Sequence, residues 1–138
     1  MQLEVKISLI LHATENQEKV LDCFERIFDI EQNDFHIQQV PGHFNNPILL
    51  ISLSLKKKVA ETFIKKFFSR MEKNEYEEIF NNVEEFVTSS GLNLRINKQK
   101  ILSEIISLSK EDTIKINIIT PVYVKNQIKK IYQNLIEI

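Results

Sequence analysis

The pattern of apolar residues predicts an α+β fold, a mainly antiparallel sheet with amphipathic helices packed on one face, in a single domain over residues 1–138. Three observations carry this expectation. Several segments alternate apolar and polar residues with a period of two, as strands with one wet face do. Others repeat apolar residues at three- and four-residue intervals, as helices buried along one side do. No linker, internal repeat or low-complexity tract separates them. Strands with one buried face need helices on that face only, which leaves the other sheet face open.

The elements follow in order along the chain. Leu3, Val5, Ile7, Leu9 and Leu11 alternate with Gln2, Glu4, Lys6, Ser8 and His12, giving a first strand in which Ile10 alone breaks the pattern. Thr14 or Asn16 can cap the next helix, which buries Val20, Phe24, Ile27 and Phe28 with Leu21 and Cys23 beside them. Asp34 to Val40 reads as a strand marked only by Phe35, Ile37 and Val40. Ile48 to Leu55 is apolar on both faces at its start, which points to a central strand.

Lys56-Lys57-Lys58 ends that strand, and Val59, Phe63, Phe67 and Met71 form a helical stripe to about Lys73. A second helix carries Ile79, Val83 and Phe86, flanked by Phe80 and Val87, with Ser89-Ser90-Gly91 as its C-terminal cap. Leu92, Leu94 and Ile96 alternate with Asn93, Arg95 and Asn97 in another half-buried strand. Gln99 to Leu108 fits either a short helix leading into a strand or a strand throughout. Ile114, Ile116 and Ile118 mark a last strand, broken by Pro121, and Val124, Ile128, Ile131 and Leu135 a closing helix.

With 138 residues, 43% of them hydrophobic, the chain can bury a core. A net charge of -1 with 27% charged residues excludes a disordered polyelectrolyte and gives no global pull toward nucleic acid or membrane. The single Cys23 excludes an internal disulfide and fits a reducing cytoplasm. The first residues alternate and carry charge, unlike a signal peptide, and no apolar run nears the roughly 20 residues of a membrane helix. The expectation is a cytoplasmic protein with no membrane partner.

Balanced net charge conceals segregation. Residues 12–34 and 74–90 are acidic, whereas residues 56–73 and the last third are basic. A local basic surface can bind phosphate despite a distant acidic helix, because screening acts over about 8 Å at physiological salt. The plainer alternative is solvated helix faces that pair with one another.

The stretch Val40-Pro41-Gly42-His43-Phe44-Asn45-Asn46-Pro47 gathers two of the three prolines and one of the two glycines. Gly42 can supply a positive φ, and Pro47 keeps Asn46 out of helical conformation. The turn presents His43, Asn45 and Asn46, which could bond a base edge, a ribose hydroxyl or a phosphate. Equally, its amides could bond only to the turn itself. Arg95, Asn97, Lys98 and Lys100 cluster at one strand end, and Lys6 and Lys115 join that wet face if their strands are neighbours. Such a face suits a phosphate backbone, since Arg can fork two oxygens. It is otherwise an ordinary polar sheet surface, without the exposed Phe or Tyr that stacks bases.

Chemistry beyond binding finds little support. His12, His36 and His43 match no metal-ligand spacing, and no carboxylate stands at a supporting sequence position. Cys23 beside Phe24 reads as core. There is no glycine-rich phosphate loop or nucleophile elbow. The expectation is no enzyme, no cofactor and no metal.

His12-Ala13-Thr14-Glu15 closes the first strand, Gly42-His43-Phe44-Asn45-Asn46-Pro47 precedes an apolar strand, and Leu92-Asn93-Leu94-Arg95-Ile96-Asn97-Lys98-Gln99 follows later. Glu111-Asp112-Thr113-Ile114-Lys115-Ile116 then leads an acidic turn into an Ile-rich strand. Taken together and in this order, these phrases resemble an archaeal family described as predicted RNA-binding or exosome-associated proteins. The family pattern Gly-His-x-Gly-Asn-Pro has Asn45 in place of its second glycine here, and Leu-x-Leu-Arg-x-Asp-Lys-Gln has Asn97 in place of its acid. The second change fits binding better than acid–base or metal chemistry.

The resemblance implies a fold similar to the ribosomal protein that binds 5S rRNA, and a non-catalytic role near RNA processing. The expected partners are structured RNA, ribosomal or undergoing processing, and proteins of a processing complex. On this reading Arg95, Lys98, Lys100 and Lys115 contact phosphates, Asn97 stands beside them, and His43, Asn45 and Asn46 sense sugar or base edges. The alternative is a protein-interaction or dimerisation module that uses the open sheet face, favoured by Ile10 and Ile119 opposite the core faces of their strands.

Overall fold

Alternation in Glu4–Leu11, broken only by Ile10, produces strand β1, whose Val5, Ile7, Leu9 and Leu11 are buried while Lys6, Ser8 and Ile10 face solvent. The computed structural model describes residues 3–42, 44 and 46–137. Five further strands follow in the chain: β2 (His36–Pro41), β3 (Pro47–Lys56), β4 (Val87–Thr88), β5 (Gly91–Asn97) and β6 (Thr113–Ile119). They form one six-stranded sheet in the order β2-β3-β1-β6-β5-β4, with every pair antiparallel. Helices α1 (Gln17–Phe28), α2 (Lys57–Ser69), α3 (Lys73–Asn81), α4 (Val83–Phe86), α5 (Lys98–Ile101) and α6 (Ile128–Ile136) complete the fold. The α+β architecture with one open sheet face is the one the residue pattern predicts.

Local signals explain the elements that match. Asn16 caps α1, its side chain accepting from the Lys19 N–H at 3.2 Å, and Asp29 ends the helix in the left-handed region at φ 59. All six apolar residues assigned to α1 from its spacing are buried. Rings from α1, α2 and α3 then pack in succession beneath the sheet, with centroids of Phe28 and Phe63 4.6 Å apart and of Phe67 and Phe68 5.0 Å apart.

Several expectations are corrected. β3 is flanked by β2 and β1 and lies second from the sheet edge; its apolar start is half exposed because Pro47 and Ile48 extend beyond β1 and Leu50 lies beside exposed Ile10 on the open face. In α2 the buried face is Ala60, Phe63, Ile64, Phe67 and Phe68, so Val59 is exposed and Met71 lies beyond the helix. The single helix read through Phe86 is interrupted at Asn82, which leaves helical conformation at φ -121 and ψ 33 while its backbone N–H and side chain both donate to the Glu78 carbonyl at 3.1 Å. Ser89 and Ser90 form the turn of the β4–β5 hairpin rather than a helix cap, and Gly91 opens β5 at φ +113. Gln99 to Leu108 resolves as α5 followed by irregular chain, bridged through Ile106 to Met71 and through Leu108 to Ile96. In α6 the deepest residues are Tyr132 and Ile136, with Val124 outside the helix and exposed.

Gly42 is also corrected. Among the described turn residues the positive φ belongs to Phe44, at 55°. Gly42 serves close approach instead: a Cβ there would stand 2.3 Å from the Asn46 carbonyl oxygen and 2.6 Å from Ile48 Cγ1. The Gly42 N–H donates to that same carbonyl at 2.8 Å, closing the turn between the paired Pro41 and Pro47.

Candidate nucleic-acid interface

Sheet register decides which wet residues meet. His36 pairs with Ser52, Ser52 with Ser8, Ser8 with Lys115, and Lys115 with Arg95. One row of polar side chains therefore crosses five strands of the open face. Beside it runs a second row, Ser54, Lys6, Asn117 and Asn93. Its amides are held in place: Asn117 Nδ2 donates to Asn93 Oδ1 at 2.7 Å, and Asn93 Nδ2 to Thr88 Oγ1 at 2.7 Å. On the other side Ile10 stands opposite Leu50, both exposed, at 47% and 37%.

Two shallow concavities lie along these rows. One of about 580 Å³ is lined by His12, His36, Gln38, Ser52 and Lys115, among others. Another of about 500 Å³ is lined by Lys6, Asp34, Ser54, Asn93 and Asn117 with neighbours from the first row.

Arg95 and Lys115 are exposed and directly opposite each other, with Cα atoms about 4.5–5.5 Å apart. Like charges so placed repel. Among the described residues neither side chain makes an ion pair, and nor does that of Lys6. A cationic strip without internal neutralisation can bind an anion.

The other expected site residues fare differently. Lys98 is not exposed but 2% accessible, so it is not available for the phosphate contact expected of it. Its ammonium donates to the Ile10 carbonyl at 2.7 Å and stands 2.8 Å from both Glu15 Oε1 and Asp112 Oδ1. The reason is local: α5 starts at once after Asn97, so Lys98 turns inward under the β1–α1 loop. Reversing its charge would set a third anion beside the Glu15 and Asp112 carboxylates rather than merely weaken a phosphate contact. Asn97 is half-buried and its Oδ1 caps α5, accepting the Lys100 N–H at 2.9 Å. Lys100 is exposed on α5. Asn46 is exposed at the β2–β3 turn, whereas His43 and Asn45 lie outside the described residues.

The turn and the cationic pair do not form one pocket. From Pro47 to Ser52 along β3, then across β1 to Lys115 on β6, the separation is about 20 Å at standard strand dimensions.

The junction around Lys98 also revises the expectation that no carboxylate supports a histidine. Folding brings ligand atoms of His12, Glu15 and Asp112 within 4.8 Å of one another. The cation there is the chain's own ammonium. Its hydrogen bond holds the Asp112 carboxyl below the usual range, outweighing the opposing effect of partial burial. Ser8, Ser52, His36 and Gln38 are the interface residues that the candidate set omits. For Ser8 and Ser52 the alternation with buried Ile and Leu was the available signal, whereas β2 buries none of its residues; only the register aligns Ser8, Ser52 and His36 with Lys115 and Arg95, and places Gln38 one row over, opposite Leu50. Among the described residues no helix is long and apolar enough to cross a membrane.

Known proteins share this fold. The chain is 30% identical over 121 residues to the RNA-binding protein PAB1135 of Pyrococcus abyssi, covering 83% of this chain and 79% of that protein. The crystal structure of protein AF2318 from Archaeoglobus fulgidus, assigned to DUF54, superposes with a TM-score of 0.77 at 25% identity, over 98% of this chain and 99% of that one. Protein SSO0741 from Sulfolobus solfataricus, also DUF54, shares the fold with a TM-score of 0.76 at 24% identity, over 96% of each chain. A family model described as RNA binding matches residues 4–120, and the chain thus belongs to this RNA-binding family of archaeal proteins.

Proposed function

We propose that the protein is a non-catalytic RNA-binding accessory factor that grips the RNA backbone on its open sheet face. The observation that carries this reading is the unneutralised Arg95–Lys115 pair at one end of a polar cross-strand row. Phosphates placed there relieve the repulsion between the two cations, and the adjacent serines and His36 supply further hydrogen bonds. A binding role without chemistry is supported by the junction beside the face, where the Glu15 and Asp112 carboxylates are engaged by Lys98. The family resemblance extends the proposal to structured RNA and to an accessory place in RNA processing, the exosome included.

Fluorescence anisotropy with a labelled stem-loop RNA across a KCl series tests this. Wild-type affinity is expected to fall as salt rises, with a log–log slope of about −0.7 to −0.9 per phosphate contact. Arg95→Glu with Lys115→Glu should weaken binding at least tenfold and flatten the slope, while Lys65→Glu on the helix layer leaves both unchanged. An absence of salt-sensitive binding at micromolar protein defeats the proposal.

The exposed Ile10–Leu50 pair favours a second reading, docking of a protein partner or second copy on the same face. Light scattering distinguishes it: a stable dimer broken by Ile10→Ser would occupy the face and exclude RNA.

A further inference from the structure

We propose that the N-terminus of α2, with Lys56, Lys57, Lys58 and the Thr120 hydroxyl beside it, is a phosphate-binding site that holds a second phosphate of the RNA, apart from the Arg95–Lys115 pair. The source of the phosphate rests on the RNA-binding reading above; the affinity for phosphate does not.

This helix begins in the reverse of the usual way. Helix starts favour Ser, Thr, Asp or Asn at the cap and acids in the first turn, because free N–H groups and the positive end of the dipole meet there. In α2 the cap residue is Lys56, which supplies no side-chain hydrogen bond, and the first turn holds no acid. Glu61 comes a turn later. The Lys57 N–H donates to the Leu3 carbonyl at 3.1 Å, so the next N–H groups, of Lys58 and Val59, are left without a cap. Among the described residues none of the three ammonium groups makes an ion pair. Cations gathered at the positive end of a helix repel it and one another, and a bound anion relieves this.

A cavity of about 550 Å³ adjoins the helix start, with Lys56, Lys57, Glu4, Thr120 and Pro121 in its wall. Thr120 is 6% exposed, and its Oγ1 is the one buried side-chain polar atom among the described residues that lacks a hydrogen-bond partner. A hydroxyl so placed costs free energy until it meets an acceptor, and a phosphate oxygen is one. Glu4 is the one acid in the wall, and its Oε2 already accepts from Ser54 Oγ at 2.5 Å.

The cavity also continues the open face. Glu4 pairs with Lys56 on one side and Ile119 on the other, in the next row beyond Ser54, Lys6 and Asn117. From Ser8, opposite Lys115, to Glu4 is four residues of β1, about 13–14 Å. An RNA backbone running along β1 meets Lys115, then Lys6, then the end of α2.

Amide NMR spectra titrated with inorganic phosphate, against KCl at matched ionic strength, test the site directly. Phosphate should shift the Lys58 and Val59 amides first and saturably, and KCl should not. Lys56→Gln with Lys57→Gly should weaken that binding about three- to tenfold. Glycine keeps the φ of 56 that Lys57 adopts, so the helix start is preserved. Thr120→Val should also bind phosphate more weakly, without a lower thermal midpoint, since the hydroxyl has no partner to lose. Shifts spread evenly over the lysines, equal shifts with KCl, or variants that bind phosphate like wild type overturn the inference. Anisotropy with one stem-loop, 5′-phosphorylated or 5′-hydroxyl, identifies the source of the phosphate. For a backbone phosphate, the double variant should lower the salt slope by about 1 on both RNAs. For a terminal phosphate, it should lose only the preference for the phosphorylated form. Unchanged affinity for both RNAs overturns the assignment of the site to RNA. If wild type binds neither RNA yet phosphate shifts these amides, the RNA-binding reading fails and the phosphate site stands.

Discussion

Replacing Lys98 by methionine keeps most of the side-chain volume and removes one charge. In the native protein that ammonium joins three separated parts of the chain: the Ile10 carbonyl in β1, Glu15 in the β1–α1 loop and Asp112 just before β6. The variant leaves the carbonyl without this donor and the two carboxylates without a cation. Breaking a buried ion pair by removing one partner costs about 3–5 kcal/mol. The two carboxylates do not share that cost equally. The Glu15 side chain is 16% exposed and keeps most of its penalty, whereas Asp112 is 50% exposed and is rehydrated. The expected loss for Lys98→Met is therefore about 2–4 kcal/mol at neutral pH. Urea denaturation followed by circular dichroism reads it as a lower midpoint with an unchanged slope. A domain with roughly 5–15 kcal/mol of stability survives this loss, so the variant remains measurable. Adding Glu15→Gln and Asp112→Asn should restore part of it, because the three groups are coupled. A Lys98→Met protein within about 0.5 kcal/mol of wild type would show that the ammonium is not held between these carboxylates.

Further consequences concern pH and the two glycines. The folded-state pKa of Asp112 is depressed, chiefly by the hydrogen bond from Lys98, so its contribution is present above the unfolded carboxyl value near 4 and is lost as pH falls below it. Asp112→Asn should therefore reduce the acid dependence of urea stability below about pH 4, and identical pH profiles would contradict this. Gly42→Ala forces a Cβ against the Asn46 carbonyl and should cost about 1–2 kcal/mol, as a lower thermal midpoint, because a turn can yield locally. Gly91→Ala should cost more, at least about 2 kcal/mol, since it adds a left-handed φ of 113 to a 2.5 Å approach to the Ile118 carbonyl inside the sheet. Reversal of that order in differential scanning calorimetry would refute the comparison.

Much of the fold is written in short-range periodicity. Val5, Ile7 and Leu9 in β1, Leu92, Leu94 and Ile96 in β5, and Ile114, Ile116 and Ile118 in β6 are all buried as their alternation requires. A period of two fixes which face of a strand is apolar, and therefore which residues remain wet. Helix phase was less legible. Ala60 and Ile64 displace Val59 from the buried side of α2, because several apolar residues in a row define a stripe only to within one position. The break at Asn82 is a departure from helical backbone angles at one residue, which no apolar pattern encodes.

The sequence alone determined that the molecule would be a sheet with one covered and one open face, and that Arg95 and Lys115 would face solvent. It also carried the phrases by which the family is recognised. Tertiary structure alone decided that Arg95 lies opposite Lys115, that Ser8, Ser52 and His36 extend their row, and that Lys98 turns inward to neutralise Glu15 and Asp112. The physical reason is range. Side-chain direction within a strand follows from local backbone geometry, whereas register and charge pairing depend on residues far apart in the chain, such as Glu15 and Lys98, whose proximity exists only after the sheet has closed.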